Sequence, residues 1–389
     1  MRTYSGLLAA LFSLLMFSSA LSGCIFSDDS PEPGSDLEAI FNWSPTTSIQ
    51  AGTDVTFNGS ASLPQDGSLT YRWDFNGDES NDASGKEVIT SYANDGTYKV
   101  ILTITDGLGE ASSTKEIIIL AKTAVLPTAD PGSENPDSDC QGNEASNGDF
   151  YLIYICEPEK SSNDRNTRVT TTVNLDGSAS DPGSTNHFMT DWVWDLNTNI
   201  DSDGNGIEDD DVDAEGKTYE LKDVDIGEYE VQLTVSNNEG YSAQQQVMVY
   251  VEYMGDWQEL HVNGNQTDNG ELVFETTLHY DRDTNNKIKR VDILLIYPTE
   301  DDDQLPGSPV VNNELNIHMF NETGEDVVNT TASERGQGCN VGDDYQCVTL
   351  QVTSYFIDTY EDGDWEIKII NAKVTDADDV SLSIEIQYK

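Results

Sequence analysis

Gly96-Thr97-Tyr98-Lys99-Val100-Ile101-Leu102-Thr103-Ile104-Thr105 returns later in the chain as Gly227-Glu228-Tyr229-Glu230-Val231-Gln232-Leu233-Thr234-Val235-Ser236. In the first copy Tyr98, Val100, Leu102 and Ile104 alternate with Lys99, Ile101, Thr103 and Thr105. In the second, Tyr229, Val231, Leu233 and Val235 hold the same places. A period of two puts one set of side chains on a buried face and the other on a mostly wet one, which is the pattern of a β-strand in a packed sheet. Turn residues follow each copy, Asp106-Gly107-Leu108-Gly109 and Asn237-Asn238-Glu239-Gly240, and each turn leads into a last strand, Lys115–Leu120 or Gln245–Val251.

Two further motifs precede each copy in the same order. Phe57-Asn58-Gly59-Ser60-Ala61-Ser62 and Tyr71-Arg72-Trp73-Asp74-Phe75 stand in the first, and Leu175-Asp176-Gly177-Ser178-Ala179-Ser180 and Trp192-Val193-Trp194-Asp195-Leu196 in the second. Trp73 and Trp194 have wet neighbours in their strands and read as the large core anchors of two small sandwiches. Three motifs in register, twice in one chain, resemble the PKD domain, an immunoglobulin-like β-sandwich of surface-protein ectodomains. The resemblance covers residues 37–252. It implies a seven-strand sandwich used as a spacer, adhesion or protein-contact module, and it carries no active site.

The copies differ at one place. Trp73 to Gly96 spans 23 residues and Trp194 to Gly227 spans 33. The excess falls in a run of acids, Asn197 to Asp213. Calcium takes six to eight oxygen ligands, and acids at alternate positions followed by a turn glycine can wrap one ion. Asp201, Asp203, Asn205, the Ile207 carbonyl, Asp209 and Asp213 are the ligands this spacing predicts, with Gly206 making the turn. The loop resembles those of thrombospondin type 3 repeats and EF-hands, but Val212 stands where an acid should close the shell. Asp211 or Asp213 could serve instead, or a frame starting at Asn199 and ending on Asp210. A merely solvated acidic loop is the alternative. The first copy has a thinner version, Asp74, Asn76 and Asp78, that reads as a plain turn.

The rest of the chain sets the compartment. Lys and Arg total 19 against 72 Asp and Glu, a formal charge of −53. That field repels nucleic acid and anionic headgroups and leaves cations or a basic partner. Met1-Arg2, the apolar run Leu7–Leu21 and Leu21-Ser22-Gly23-Cys24 resemble a prokaryotic lipoprotein signal with its lipobox. The expectation is cleavage after Gly23 and a diacylglycerol group on Cys24, which anchors the protein to the membrane with everything else outside. Of five cysteines, removing Cys24 leaves four, which fall as the local pairs Cys140–Cys156 and Cys339–Cys347. The first pair lies in an insertion, Ser133–Arg168, read as a hairpin over the second sandwich.

The C-terminal third alternates differently: Val291, Ile293 and Leu295; Trp365, Ile367 and Ile369; Leu382, Ile384 and Ile386. It reads as a further sandwich or jelly roll, with a faint resemblance to the P-domain type around Gly363–Ile369. The four histidines, 187, 261, 279 and 318, stand isolated, and neither His-Glu-x-x-His nor Gly-x-Ser-x-Gly occurs.

The fold expected is therefore all-β: a signal peptide (1–23), a linker (24–36), PKD-like sandwiches at 37–121 and 122–252, and a C-terminal β-sandwich at 253–389. The function expected is that of a non-catalytic, calcium-stabilised, cell-surface lipoprotein for adhesion, scaffolding or partner binding. Its partner would be a surface protein or a polysaccharide, not nucleic acid. A polymer-binding accessory to secreted hydrolases is the alternative, and an unrecognised surface hydrolase the remaining one.

Overall fold

The computed structural model describes residues 37–389 apart from 66, 146, 205, 265–269, 282–283, 301–309, 337–338, 361–362 and 374. Cys24, the signal segment and the linker lie outside the described residues. The chain is nearly all β, with a single short helix, Ser354–Ile357, among the described residues. It divides into two compact units, the first built from segments ending at Ile117 and the second holding Ile118–Lys389.

The first unit is a sandwich. A three-stranded sheet (Asn42–Ser44, Asp54–Asn58, Glu87–Ser91) faces a four-stranded one (Ala83–Ser84, Thr70–Asp74, Gly96–Thr105, Glu110–Ile119). The alternation in Gly96–Thr105 is realised: Val100, Leu102 and Ile104 are fully buried while the residues between them are half-buried or exposed. Trp73 stands edge-on to Phe41 at 5.2 Å and close to Phe57, an aromatic nucleus whose geometry matches the ring quadrupoles. Its indole Nε1 donates to the Gly85 carbonyl at 2.9 Å, so the polar end of the buried ring is satisfied.

In the second unit two hydrophobic cores lie along one sheet. Trp194, Val231, Leu233, Val249 and Val251 belong to the first core, and Tyr253, Trp257, Phe274, Ile293, Trp365 and Ile384 to the second. The strand Ser242–Val262 runs through both without a break. Residues 242–251 pair antiparallel with Gly227–Asn237, and residues 253–262 with Ala377–Gln387. The expected boundary at 252/253 thus coincides with the change of core but not with any break in the backbone. A strand buried on both sides of that point, reading Val247-Met248-Val249-Tyr250-Val251, has no turn residues to end it, so it continues.

The insertion is not a hairpin. Its apolar run forms the strand Tyr151–Lys160, which pairs in parallel with residues 249–257 of the long strand. Because residues 249–251 also pair with Gly227–Asn237, and 253–257 with Ala377–Gln387, this strand must occupy the opposite edge. It crosses the junction like a splint. Its start is fixed to the first core by Tyr151, whose hydroxyl donates to the Pro131 carbonyl at 2.8 Å and accepts from the Asp176 N–H at 3.0 Å. Its end is fixed to the second, where the Lys160 ammonium lies 5.7 Å from the Trp257 ring centre. A parallel partner needs a crossover, not a tight turn, and this is why local sequence could not distinguish the two pairings. Cys140 and Cys156 form the disulfide expected, as do Cys339 and Cys347.

The remaining strands complete a C-terminal sandwich. Arg290–Pro298 and Tyr345–Thr353 extend the shared sheet, and a separate four-stranded sheet runs Glu271–Leu278, Gly363–Asn371, Leu315–Phe320, Asp326–Asn329.

Candidate cation-binding loop of the second sandwich

The strand Met189–Asp195 carries Trp194 inward and ends on Asp195, where the acidic loop begins. The loop returns at Asp213, whose N–H donates to the Trp194 carbonyl at 3.0 Å, and the short strand Ala214–Glu215 then pairs with Val193 and Trp194. The core strand therefore clamps both ends of the insertion.

Within the loop the carboxylates of Asp201, Asp203 and Asp211 converge, each offering an oxygen within 4.8 Å of the others. Backbone donors hold them in place. Asp201 accepts from the N–H groups of Gly204 (2.6 Å) and Gly206 (2.8 Å), and Asp211 accepts from Ser202 (2.6 Å) and Asp203 (3.3 Å). Gly206 has φ of 86°, a left-handed conformation that favours glycine at this turn. Asp211 is 3 % exposed and Ile207 9 % exposed.

The other expected ligands are placed elsewhere. Asp213 lies at the loop's base, with its oxygens accepting from the Leu196 N–H (2.8 Å) and the Ser202 hydroxyl (2.7 Å). Asp209 is outside the trio, and its carbonyl accepts from the Gln232 amide at 2.8 Å. Asn205 lies outside the described residues. The trio thus takes its third carboxylate from Asp211, one of the two residues offered to close the shell. The spacing rule assumed a free-standing loop; here the clamp at Trp194 directs Asp213 to the base and turns Asp211 inward.

Asp195 is not among the ligands that the spacing predicts. It is 3 % exposed, and while one oxygen accepts from the Asn197 N–H at 3.1 Å, Oδ2 is buried with no hydrogen-bond partner. Burial, with the charges of Asp213, Asp211 and Asp209 added, pushes its carboxyl up to about 7. The first repeat shows the contrast. There Asp74 accepts from the N–H groups of Asn76 (3.1 Å), Gly77 (2.7 Å) and Glu79 (2.8 Å), so both its oxygens are satisfied by its own loop. Asp82 caps the Phe75 N–H at 2.8 Å, as Asp213 caps Leu196. The signal for Asp195 was in the sequence, as the acid of the Trp-Asp motif, but its loss of partners follows from the insertion's path.

The histidines take part in separate local contacts. The His318 Nδ1 lies 2.7 Å from Asp326, and His261 pairs with Asp378. No helix among the described residues is long and apolar enough to cross a membrane.

Residues 39–119 match the PKD domain family, so a PKD domain occupies the first repeat. No curated protein matches the chain. Among solved structures, carbohydrate-binding modules of the β-sandwich superfamily, described for promiscuous specificity, align at 16% identity over 90% of this chain and 96% of that one, with a TM-score of 0.20. Three N-terminal domains of the outer capsid protein Hoc of bacteriophage RB49 align at 13% over 88% and 97%, TM-score 0.25. The mixed-linkage glucan locus protein SGBP-B of Bacteroides ovatus, solved with a heptasaccharide, aligns at 9% over 93% and 98%, TM-score 0.16. At such scores none of the three bears on how this chain works; its fold rests on the strands and cores described above.

Proposed function

We propose that this chain is a non-catalytic, lipid-anchored surface protein whose β-sandwiches hold a partner-binding surface away from the membrane. The observation that carries this reading is the junction in the second unit. One strand spans two cores, and the Tyr151–Lys160 strand splints it on the other edge, so backbone hydrogen bonds resist bending there. Such a joint suits a stiff spacer. The second repeat, which shares motif order with the PKD domain at 39–119, acts as a second PKD module. The Asp201, Asp203 and Asp211 trio holds a structural calcium ion, because hard oxygen donors converging on one point match that cation.

The accessory reading, with a polysaccharide as partner, calls for exposed aromatics in one plane. Among the described residues, the strongly exposed large apolar side chains include the aromatics Phe188 and Tyr355, which stand singly in different sandwiches. This favours a protein partner. The test incubates the detergent-extracted full chain with cell-envelope material from its own source. Saturable binding that leaves envelope polymers at their original length supports the reading; shortening of the polymer or release of peptides overturns it.

A further inference from the structure

Five Asn-x-Ser/Thr tripeptides occur in the chain, beginning at Asn42, Asn58, Asn265, Asn321 and Asn329. In an exported protein each is a formal acceptor of N-linked sugar, but only where the asparagine reaches solvent. The fold separates them. Asn321 is 5 % exposed, and its carbonyl oxygen accepts from the N–H groups of Thr323 (3.2 Å) and Glu325 (2.8 Å) and from the Thr323 hydroxyl (2.8 Å), so its amide is held inside its own turn. Asn58 is half-buried, and a Cβ on the next residue, Gly59, would stand 3.1 Å from both Leu102 and Tyr71. Asn42 is half-buried within a strand paired along its length. Asn265 lies outside the described residues.

Asn329 differs. It ends the strand Asp326–Asn329, the outermost of its sheet, and both Asn329 and Thr331 are exposed. Thr330 between them is fully buried, its hydroxyl accepting from the Ile317 N–H at 2.9 Å, so the tripeptide is pinned at its centre with its two outer residues in solvent. Those two already meet: the Thr331 hydroxyl donates to the Asn329 Oδ1 at 2.7 Å. The Asn329 Nδ2 has long contacts, 3.4 Å to each Asp326 carboxylate oxygen. We propose that Asn329 carries an N-linked glycan. In the step that installs it, Nδ2 attacks the anomeric carbon of a sugar carried on a polyprenyl phosphate or diphosphate. The new C–N bond forms as the bond from that carbon to the phosphate oxygen breaks, and one Nδ2 proton passes to a base of the transferase. The inference rests on the exterior placement of the β-sandwiches in the proposed function and adds a covalent group to them. Sugar at this strand end would shield the edge of the sheet, where unpaired backbone groups invite pairing with another chain.

The test is a peptide mass map of the full chain purified from its own source, beside the same chain made in a host without N-glycosylation. The Asn329 peptide should carry sugar mass in the first and none in the second, and the Asn321 peptide should be bare in both. Asn329→Gln and Thr331→Ala should each abolish the sugar on that peptide, and Thr331→Ser, which keeps the hydroxyl, should retain it. Protease added to intact cells reports separately on exposure. A bare Asn329 on a chain that this protease cleaves overturns the glycan and leaves the exterior reading standing. A bare Asn329 on a chain that is protected overturns both. Sugar that survives Asn329→Gln sits on a threonine or another asparagine and also overturns the assignment.

Discussion

Val251 and Tyr253 lie two residues apart on one strand and pack into different hydrophobic cores. The residue between them, Glu252, points to the other face and is 5 % exposed, where its carboxylate accepts from the N–H groups of Tyr388 (3.2 Å) and Lys389 (2.9 Å). The junction of the two sandwiches is thus closed by the chain's last residues bonding back to its centre.

Glu252 makes that junction pH-sensitive. Burial, opposed by those two backbone N–H groups and reinforced by Glu385, holds its carboxyl above the ordinary value of 4.5. A carboxyl raised in the folded state favours folding when protonated. Its contribution is fully present below 4.5 and is lost as pH rises through the raised value. Glu252→Gln keeps the acceptor and removes the charge. It should raise the melting temperature at pH 8, with a smaller gain at pH 4, flattening the pH profile; an unchanged slope would count against the assignment.

The Cys140–Cys156 disulfide ties the splint strand back to the segment before it, closing a loop of 16 residues in sequence. Replacing both cysteines by serine should cost about 3 kcal/mol on the chain-entropy scale. Hydrogen exchange should quicken first at the Ile153 and Ile155 amides, which face the long strand on the edge opposite the Leu152–Glu134 bond, while those of Val231 and Leu233 stay protected. Uniform loss of protection would mean that the strand does not open separately.

Asp211 and Asp213 should separate by their calcium dependence. Asp213→Ala removes the acceptor for the Leu196 N–H and the Ser202 hydroxyl and should destabilise the second sandwich by about 1–3 kcal/mol without any cation. Asp211→Asn should instead lose most of the stabilisation by millimolar calcium, which follows RT ln(1 + [L]/Kd). Asp78→Ala in the first repeat should do neither. Calorimetric melts with calcium and with chelator check all three.

Cys24 is expected to carry a diacylglycerol thioether at a mature N-terminus. Mass spectrometry of membrane-extracted protein checks this. Cleavage elsewhere, with a free thiol at position 24, would rule the anchor out.

The sequence by itself determined the strands and the packing inside each sandwich. Alternation in Gly96–Thr105 and Gly227–Ser236 names the buried face because a strand's side chains have a period of two, and Trp73 and Trp194, both fully buried, mark the cores of the two repeats. It also determined the acidic composition of the loop, since oxygen donors and a turn glycine can be read locally. Only the tertiary structure decided that Tyr151–Lys160 pairs in parallel with a strand nearly a hundred residues away, that one strand serves two cores, and that Asp211 replaces Asp213 in the trio. Register between distant strands depends on long-range pairing, which no local period encodes. Asp195 shows the same limit at a single residue. Its identity is written in the Trp-Asp motif, but whether its oxygens find donors depends on the path of the loop that follows, and in the two repeats those paths differ.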